Sequence, residues 1–222
     1  MEEKNARCLF ENLEPEIQAK LRSIMREKVF RAGEQVFAQD VPAQAFYIVV
    51  SGRVKIARLA PNGCEIILCM LGPGDLFCPV SLLDGGPQLG MAQAITEITL
   101  MWAERAECCA LFKTSPLLLS TLQTTCLGEV RRFVRRLELL TSRRLKERLA
   151  IILLDESLYR LASCVSNDEL RITQQELAGL VGASRESVSH LLAEWEREGI
   201  VAVRRGRVII QHRGQLDQIA GE

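Results

Sequence analysis

Arg185, Glu186, Ser189 and His190 fall within six residues, at spacings that place them on one face of a helix near its N-terminus. These side chains can read base edges in a DNA major groove. Arg pairs bidentately with guanine, and Glu accepts a hydrogen bond from cytosine N4. Further along, Arg204, Arg205 and Arg207 surround Gly206, a cationic cluster suited to phosphate contacts. The same residue types also occur on solvated helix faces and charged turns, so the surrounding scaffold has to decide.

That scaffold reads as a helix-turn-helix. Thr173-Gln174-Gln175-Glu176 has the form of a capping box, with hydroxyl and carboxylate each satisfying a backbone N–H at a helix start. Leu177, Ala178 and Val181 form the inner face, and Gly182 stands where a tight turn needs positive φ. Ser184 caps a second helix with Val188, Leu191 and Leu192 inside. Small residue, glycine after four and aliphatic after six more is the packing pattern of this motif. Thr173, Gln174, Ser184 and Ser187, at the two helix starts, join the candidate DNA-contacting set. Residues 199–210 alternate as a β-hairpin with Gly206 at its tip, a wing beside the recognition helix.

Upstream, residues 30–103 predict a β domain. Phe46–Val50, Val54–Leu59 and Ile66–Leu71 are short apolar stretches separated by turn signals, Asn62-Gly63 the sharpest. Evenly spaced strands suggest a small barrel or jelly roll. From Ser115 the period becomes helical: Leu119, Leu122, Cys126, Phe133, Leu137 and Leu140 make a seam one long helix can offer to a second copy. The competing reading buries that seam against the helix's own β domain. Arg131/Arg135 and Arg132/Arg136 are expected on more polar faces. Thr141-Ser142 marks a hinge into a helix from Arg143 to about Ser163, and residues 165–168 a turn. The expected domains are a sensor (residues 1–114), a dimerisation helix (115–141) and a DNA-binding domain (142–222).

Composition narrows the class. The formal net charge is zero, but residues 131–222 hold 16 basic and 13 acidic groups against 12 and 15 in residues 1–130. A basic back half is what meets phosphates. No apolar run approaches a membrane span and the N-terminus lacks a signal-peptide stretch, so a cytoplasmic protein without membrane contact is expected. The eight cysteines include no C-x-x-C pair, and both histidines, His190 and His212, lie in the back half. No histidine base stands near the front-half cysteines, so catalysis is not expected, nor is a metal site.

Two blocks of residues resemble the CRP/FNR family of bacterial transcription regulators. The first is Phe30–Phe37 with Phe46–Val54 and Gly72–Phe77, the second Ile172–Ala178 with Ser184–Ser189. The resemblance implies an α+β chain: a cyclic-nucleotide-binding-type β-roll, a long dimerisation helix and a C-terminal winged helix. It further implies a homodimer on a palindromic DNA site, and RNA polymerase as partner if the chain is an activator. Its effector region maps onto Gly74, Asp75, Leu76, Cys78, Gln88, Leu89, Phe133 and Val134. In cyclic-AMP-binding members an Arg-Ser pair holds the phosphate and a Thr-Ser pair meets the adenine. Gln88-Leu89 and Phe133-Val134 stand at those positions, so cyclic AMP is not expected.

Iron–sulfur members carry three N-terminal cysteines where this chain has Cys8, so a four-cysteine cluster is not expected either. Cys78 resembles a thiolate haem ligand, but residues 79–81 are Pro, Val and Ser, without the expected histidine; haem would need another axial group. Vicinal Cys108-Cys109, and Cys64 and Cys69 flanking a strand, leave thiol redox sensing open beside a small apolar effector near Phe133 and Val134. A nucleotide-binding signalling module acting through protein contacts is the alternative reading of the whole chain.

Overall fold

The computed structural model describes residues 15–61, 63–77, 79–155, 164–166 and 168–221. In chain order its elements are α1 (Pro15–Ile24), β1 (Arg26–Phe30), β2 (Gln35–Phe37), β3 (Ala45–Ser51), β4 (Val54–Leu59), β5 (Glu65–Leu71), β6 (Leu76–Phe77), α2 (Pro79–Asp84), β7 (Met91–Ala94), β8 (Ile98–Glu104), α3 (Arg105–Thr114) and α4 (Pro116–Ser142). There follow α5 (Leu145–Leu154), β9 (Cys164–Ser166), β10 (Glu169–Leu170), α6 (Gln174–Val181), α7 (Arg185–Arg197), β11 (Val201–Arg204), β12 (Arg207–Ile210) and α8 (Arg213–Gly221).

The front strands make two four-stranded sheets, ordered β1-β8-β3-β6 and β2-β7-β4-β5, the jelly-roll arrangement expected of residues 30–103. The hairpin between β4 and β5 is closed by Ala60 N–H on the Cys64 carbonyl and Gly63 N–H on the Ala60 carbonyl, both at 2.9 Å. In the first sheet Phe46 and Ile48 face the helices, opposite Ala103 and Met101 of β8. With Leu76 and Leu82 they meet Ile17 and Leu21 of α1, Cys108 and Phe112 of α3, and Leu118 and Leu122 of α4. Each such aliphatic or aromatic side chain contributes about 1.5–3 kcal/mol on full burial. Edge strand β1 exposes four consecutive residues, Arg26-Glu27-Lys28-Val29.

This core corrects part of the expected seam. Leu122 is buried and Leu119 packs against the same cluster, so the first two turns of α4 are committed to their own β-roll. A helical apolar stripe has the same period whichever partner it meets. Leu140, the last expected seam residue, lies by the glycine turn between α6 and α7. Arg136 is not on a polar face: it is buried, donates to the Leu68 carbonyl and holds its guanidinium 5.2 Å from the Phe133 ring centre. A buried guanidinium needs such acceptors and π-faces to offset lost hydration.

The described chain clusters into two compact units, one built up to Arg58 and from Met70 to Arg131, the other from Leu59–Cys69 and Arg132 onward. In the second unit α5 buries Leu149, Ile152 and Leu153 and packs against α8. α5 spans Leu145–Leu154, capped by Asp155 N–H on the Ile151 carbonyl at 2.8 Å; the remainder of the helix expected to reach about Ser163 falls on residues 156–163, outside the described residues. Of the expected turn at 165–168, Val165 and Ser166 belong to β9, Asn167 lies outside the described residues and Asp168 is in a turn before β10; β9 and β10 extend the wing sheet in the order β11-β12-β10-β9.

Candidate nucleic-acid interface

Local chemistry builds the two helices of the interface. Thr173 Oγ1 accepts from Glu176 N–H at 3.2 Å, while Glu176 Oε2 accepts from Thr173 N–H at 2.7 Å and from its hydroxyl at 2.8 Å. α6 ends at Gly182, at φ 64° and ψ 47°. A Cβ there would sit 3.3 Å from Leu140 Cδ2, so both backbone angle and space favour glycine. Ser184 Oγ then accepts from Ser187 N–H at 3.1 Å and lies 3.0 Å from Ser187 Oγ, starting α7. Val188, Leu192 and Trp195 form the buried face of α7; Leu191, expected inside, is half-buried.

The opposite face carries the predicted readers. Arg185, Glu186, Ser189 and His190 line one recess, with Ala193 completing it. Arg185 also borders a groove of about 690 Å³ between the start of α6 (Thr173, Gln174, Gln175) and the wing (Arg204, Arg205, Gly206, Arg207). Unpaired N–H groups and the positive dipole end at a helix N-terminus favour anions. Nine of the eleven predicted DNA-contacting residues line the recess or the groove, with Arg185 shared by both, while Ser184 and Ser187 are taken up by the cap that starts α7.

The three wing arginines are not equivalent. Arg204 donates to Glu196 at 3.3 Å, the same carboxylate oxygen that accepts Val203 N–H at 2.9 Å. Arg207 donates to Glu169 at 3.1 Å. Arg205, exposed at the tip, makes no side-chain hydrogen bond or ion pair among the described residues. Surface pairs of this kind are worth about 0–1 kcal/mol, so their consequence is orientation: two cations are held along the groove and one projects. Glu196 and Glu169 were missed by sequence reasoning. They lie 8 and 38 residues from their partners, and no local pattern marks them.

The described effector residues implied by the resemblance fall in both units. Gly74 and Asp75 hold a turn: Gly74 N–H donates to Val49 at 2.8 Å, and Asp75 Oδ2 accepts Gly72 N–H at 2.9 Å. Leu76 belongs to the hydrophobic core rather than to a pocket wall. Gln88 is buried and Leu89 half exposed. Phe133 and Val134 are exposed on α4, in the second unit. Cys78 lies outside the described residues. Burial, with the neighbouring Cys109 and Glu107, pushes the Cys108 thiol up to about 12, which suits an inert core residue rather than a redox sensor. Burial raises Cys126 too, aided by Glu129 and Asp84. Cys64 is exposed, and Cys69 lies within β5 rather than flanking it. No group of three or more His, Cys, Asp or Glu among the described residues is placed to hold a metal ion. No helix among them is long and apolar enough to cross a membrane.

Known proteins match this architecture over nearly its whole length. The cyclic nucleotide-binding domain family matches residues 27–115, and the Crp-like helix-turn-helix domain family residues 147–219. The chain is 32% identical to the cyclic AMP receptor protein of Thermus thermophilus over 96% of each chain. It is 33% identical to the CRP-like cAMP-activated global transcriptional regulator of Mycobacterium tuberculosis, covering 97% of this chain and 98% of that protein. Among solved structures it resembles the Thermus thermophilus catabolite activator protein (TM-score 0.56, 32% identity, 96% and 98% coverage). FixK2 of Bradyrhizobium japonicum shares the fold (TM-score 0.76, 24% identity, 88% and 97% coverage). With a β-roll, a long helix and a winged helix-turn-helix in that order, the chain belongs to the CRP/FNR family of DNA-binding transcription regulators.

Proposed function

We propose that the chain binds a palindromic operator as a homodimer, with a signal received in the β-roll setting its affinity through α4. One observation carries the reading: Arg185, Glu186, Ser189 and His190 share one recess whose border continues into a groove lined by wing arginines. Base reading and phosphate contact are thereby adjacent on one surface.

The second copy docks along the middle of α4. Leu127, Val130, Val134 and Leu137 are each more than half exposed, and they follow one another at steps of three, four and three. Such a register is the seam of a parallel coiled coil. It keeps Leu137 from the expected set and replaces Leu119 and Leu122, which the β-roll core already uses. Two copies related by a two-fold axis present two recognition helices, and hence read an inverted repeat. RNA polymerase is the further partner if the bound dimer activates, and the site of action is the cytoplasm.

Selection from a random duplex library with the full chain tests the reading. The expected product is an inverted repeat whose half-site centres lie about 34 Å apart, with binding that weakens steeply as salt rises. Enrichment of a single unpaired half-site, or of no sequence, would overturn it.

A further inference from the structure

We infer that Glu196 is a positioning residue for phosphate contact: its carboxylate aims Arg204 at the DNA backbone, so that losing this negative charge weakens DNA binding. This rests on the reading of the wing groove as a DNA surface.

An acidic side chain beside such a surface is ordinarily a liability, since it repels the phosphates that the arginines attract. Glu196 stands on the last turn of α7, the helix whose N-terminal end carries the base readers, and reaches across to the wing. Its Oε1 accepts Val203 N–H at 2.9 Å and Arg204 Nη1 at 3.3 Å. One oxygen thus ties the recognition helix both to the backbone of β11 and to the cation that follows.

The hairpin makes that tie necessary. Arg204 and Arg207 are cross-strand partners, with only Arg205-Gly206 between them. Like charges directly opposite one another repel, and more than half of the Arg204 side chain is exposed. Without an anchor its guanidinium would swing away from Arg207 into solvent. Two acids from different elements oppose this: Glu196 for Arg204, and Glu169 of β10 for Arg207 at 3.1 Å.

The atoms engaged matter as much as the charge. Arg204 commits Nη1 to the protein, donating to Glu196 and to the Val203 carbonyl at 2.8 Å. Its Nε and Nη2 make no hydrogen bond among the described residues. Those two nitrogens share one edge of the planar guanidinium, an edge that can hold two oxygens of one phosphate in parallel. Arg204 lines the groove together with Thr173, Gln174 and Arg185. Anchored by one nitrogen, it keeps its bidentate edge for the ligand and needs little further ordering on contact.

Anisotropy of a fluorescein-labelled duplex of mixed sequence, titrated with the full chain at low salt, reads this phosphate contact without any operator. Glu196→Ala is expected to lose about fivefold or more in affinity, since two Arg204 side chains, one in each copy, must then be ordered on binding. Glu196→Gln keeps an oxygen acceptor for Val203 N–H and for Arg204. It should return binding to the parent's level or above, one repulsive charge having gone. In an Arg204→Ala background, Glu196→Ala should no longer weaken binding, because only its charge is left to remove. Three results overturn the inference: unchanged or tighter binding by Glu196→Ala, a glutamine variant as weak as the alanine one, or a loss that persists without Arg204. The duplex carries no inverted repeat, so failure here is distinct from failure of the operator selection.

Discussion

Replacing Gly182 with alanine tests how far the recognition surface depends on one backbone angle. At φ 64° an alanine pays about 1–2 kcal/mol for the left-handed conformation. Reduced freedom of the unfolded chain offsets about 0.4–1 kcal/mol of that. The added Cβ also comes within 3.3 Å of Leu140 Cδ2, so a small shift of Leu140 adds to the cost. The net expectation is a loss of about 1 kcal/mol, or about 4–8 °C in the midpoint of a domain this size. Trp195, buried in α7, reports the transition by fluorescence once Trp102→Phe silences the other tryptophan. Gly206→Ala is the control, with φ 73° but nothing within 4 Å of the new methyl; it isolates backbone strain from the Leu140 contact. Gly182→Asn should recover part of the loss, because asparagine tolerates this conformation. An unchanged midpoint for Gly182→Ala, or an asparagine variant worse than alanine, refutes the reasoning.

At the interface, Glu186→Ala should relax base preference at one position of each half-site, whereas Arg205→Ala should weaken all sequences alike and lower the salt slope by about one; equal loss on all half-site variants for Glu186→Ala would remove its base-reading role. On α4, Leu137→Glu should yield a folded monomer by sedimentation, while Leu122→Glu should unfold the β-roll. A dimeric Leu137→Glu protein would place the seam elsewhere. For Cys108, the folded thiol is raised from an ordinary 9.0 to about 12, so the folded state holds a proton that the unfolded state releases. Its stabilisation is complete below about pH 9 and is lost as pH rises toward 12. In native protein at pH 8, Cys64 should react with a thiol reagent well before Cys108, and faster modification of Cys108 would contradict its burial.

How much of this was legible in sequence follows from the range of the interactions. The Thr173/Glu176 box, the turn at Gly182 and the Ser184 cap are set by residues within four positions of one another, and each formed as the pattern required. The strands β3, β4 and β5 contain the three apolar stretches that marked them. What failed was assignment of partners. Leu122 and Leu137 belong to the same helical stripe, yet one is buried in the β-roll core and the other is exposed; periodicity names a face and not its neighbour. Arg136 read as solvated because its acceptor, the Leu68 carbonyl, is 68 residues away. The short helices α1, α2, α3 and α8 offered too few turns for a periodic signal, though α1 and α3 supply much of the front core. In the wing, Arg204, Arg205 and Arg207 looked alike until Glu196 and Glu169 distinguished them.

The exposed edge strand β1 has a consequence for how the protein behaves at high concentration. Among the described residues no strand pairs with its outer side, and such an edge is a template on which another chain's strand can align. Arg26, Glu27 and Lys28 put three charges in succession there, and Arg26 is anchored by two hydrogen bonds to Glu107 at 3.0 and 2.9 Å. Any strand adding to that edge would have to strip water from those charges. Sheet growth is therefore opposed at β1, which leaves the self-association proposed above to the apolar stripe of α4.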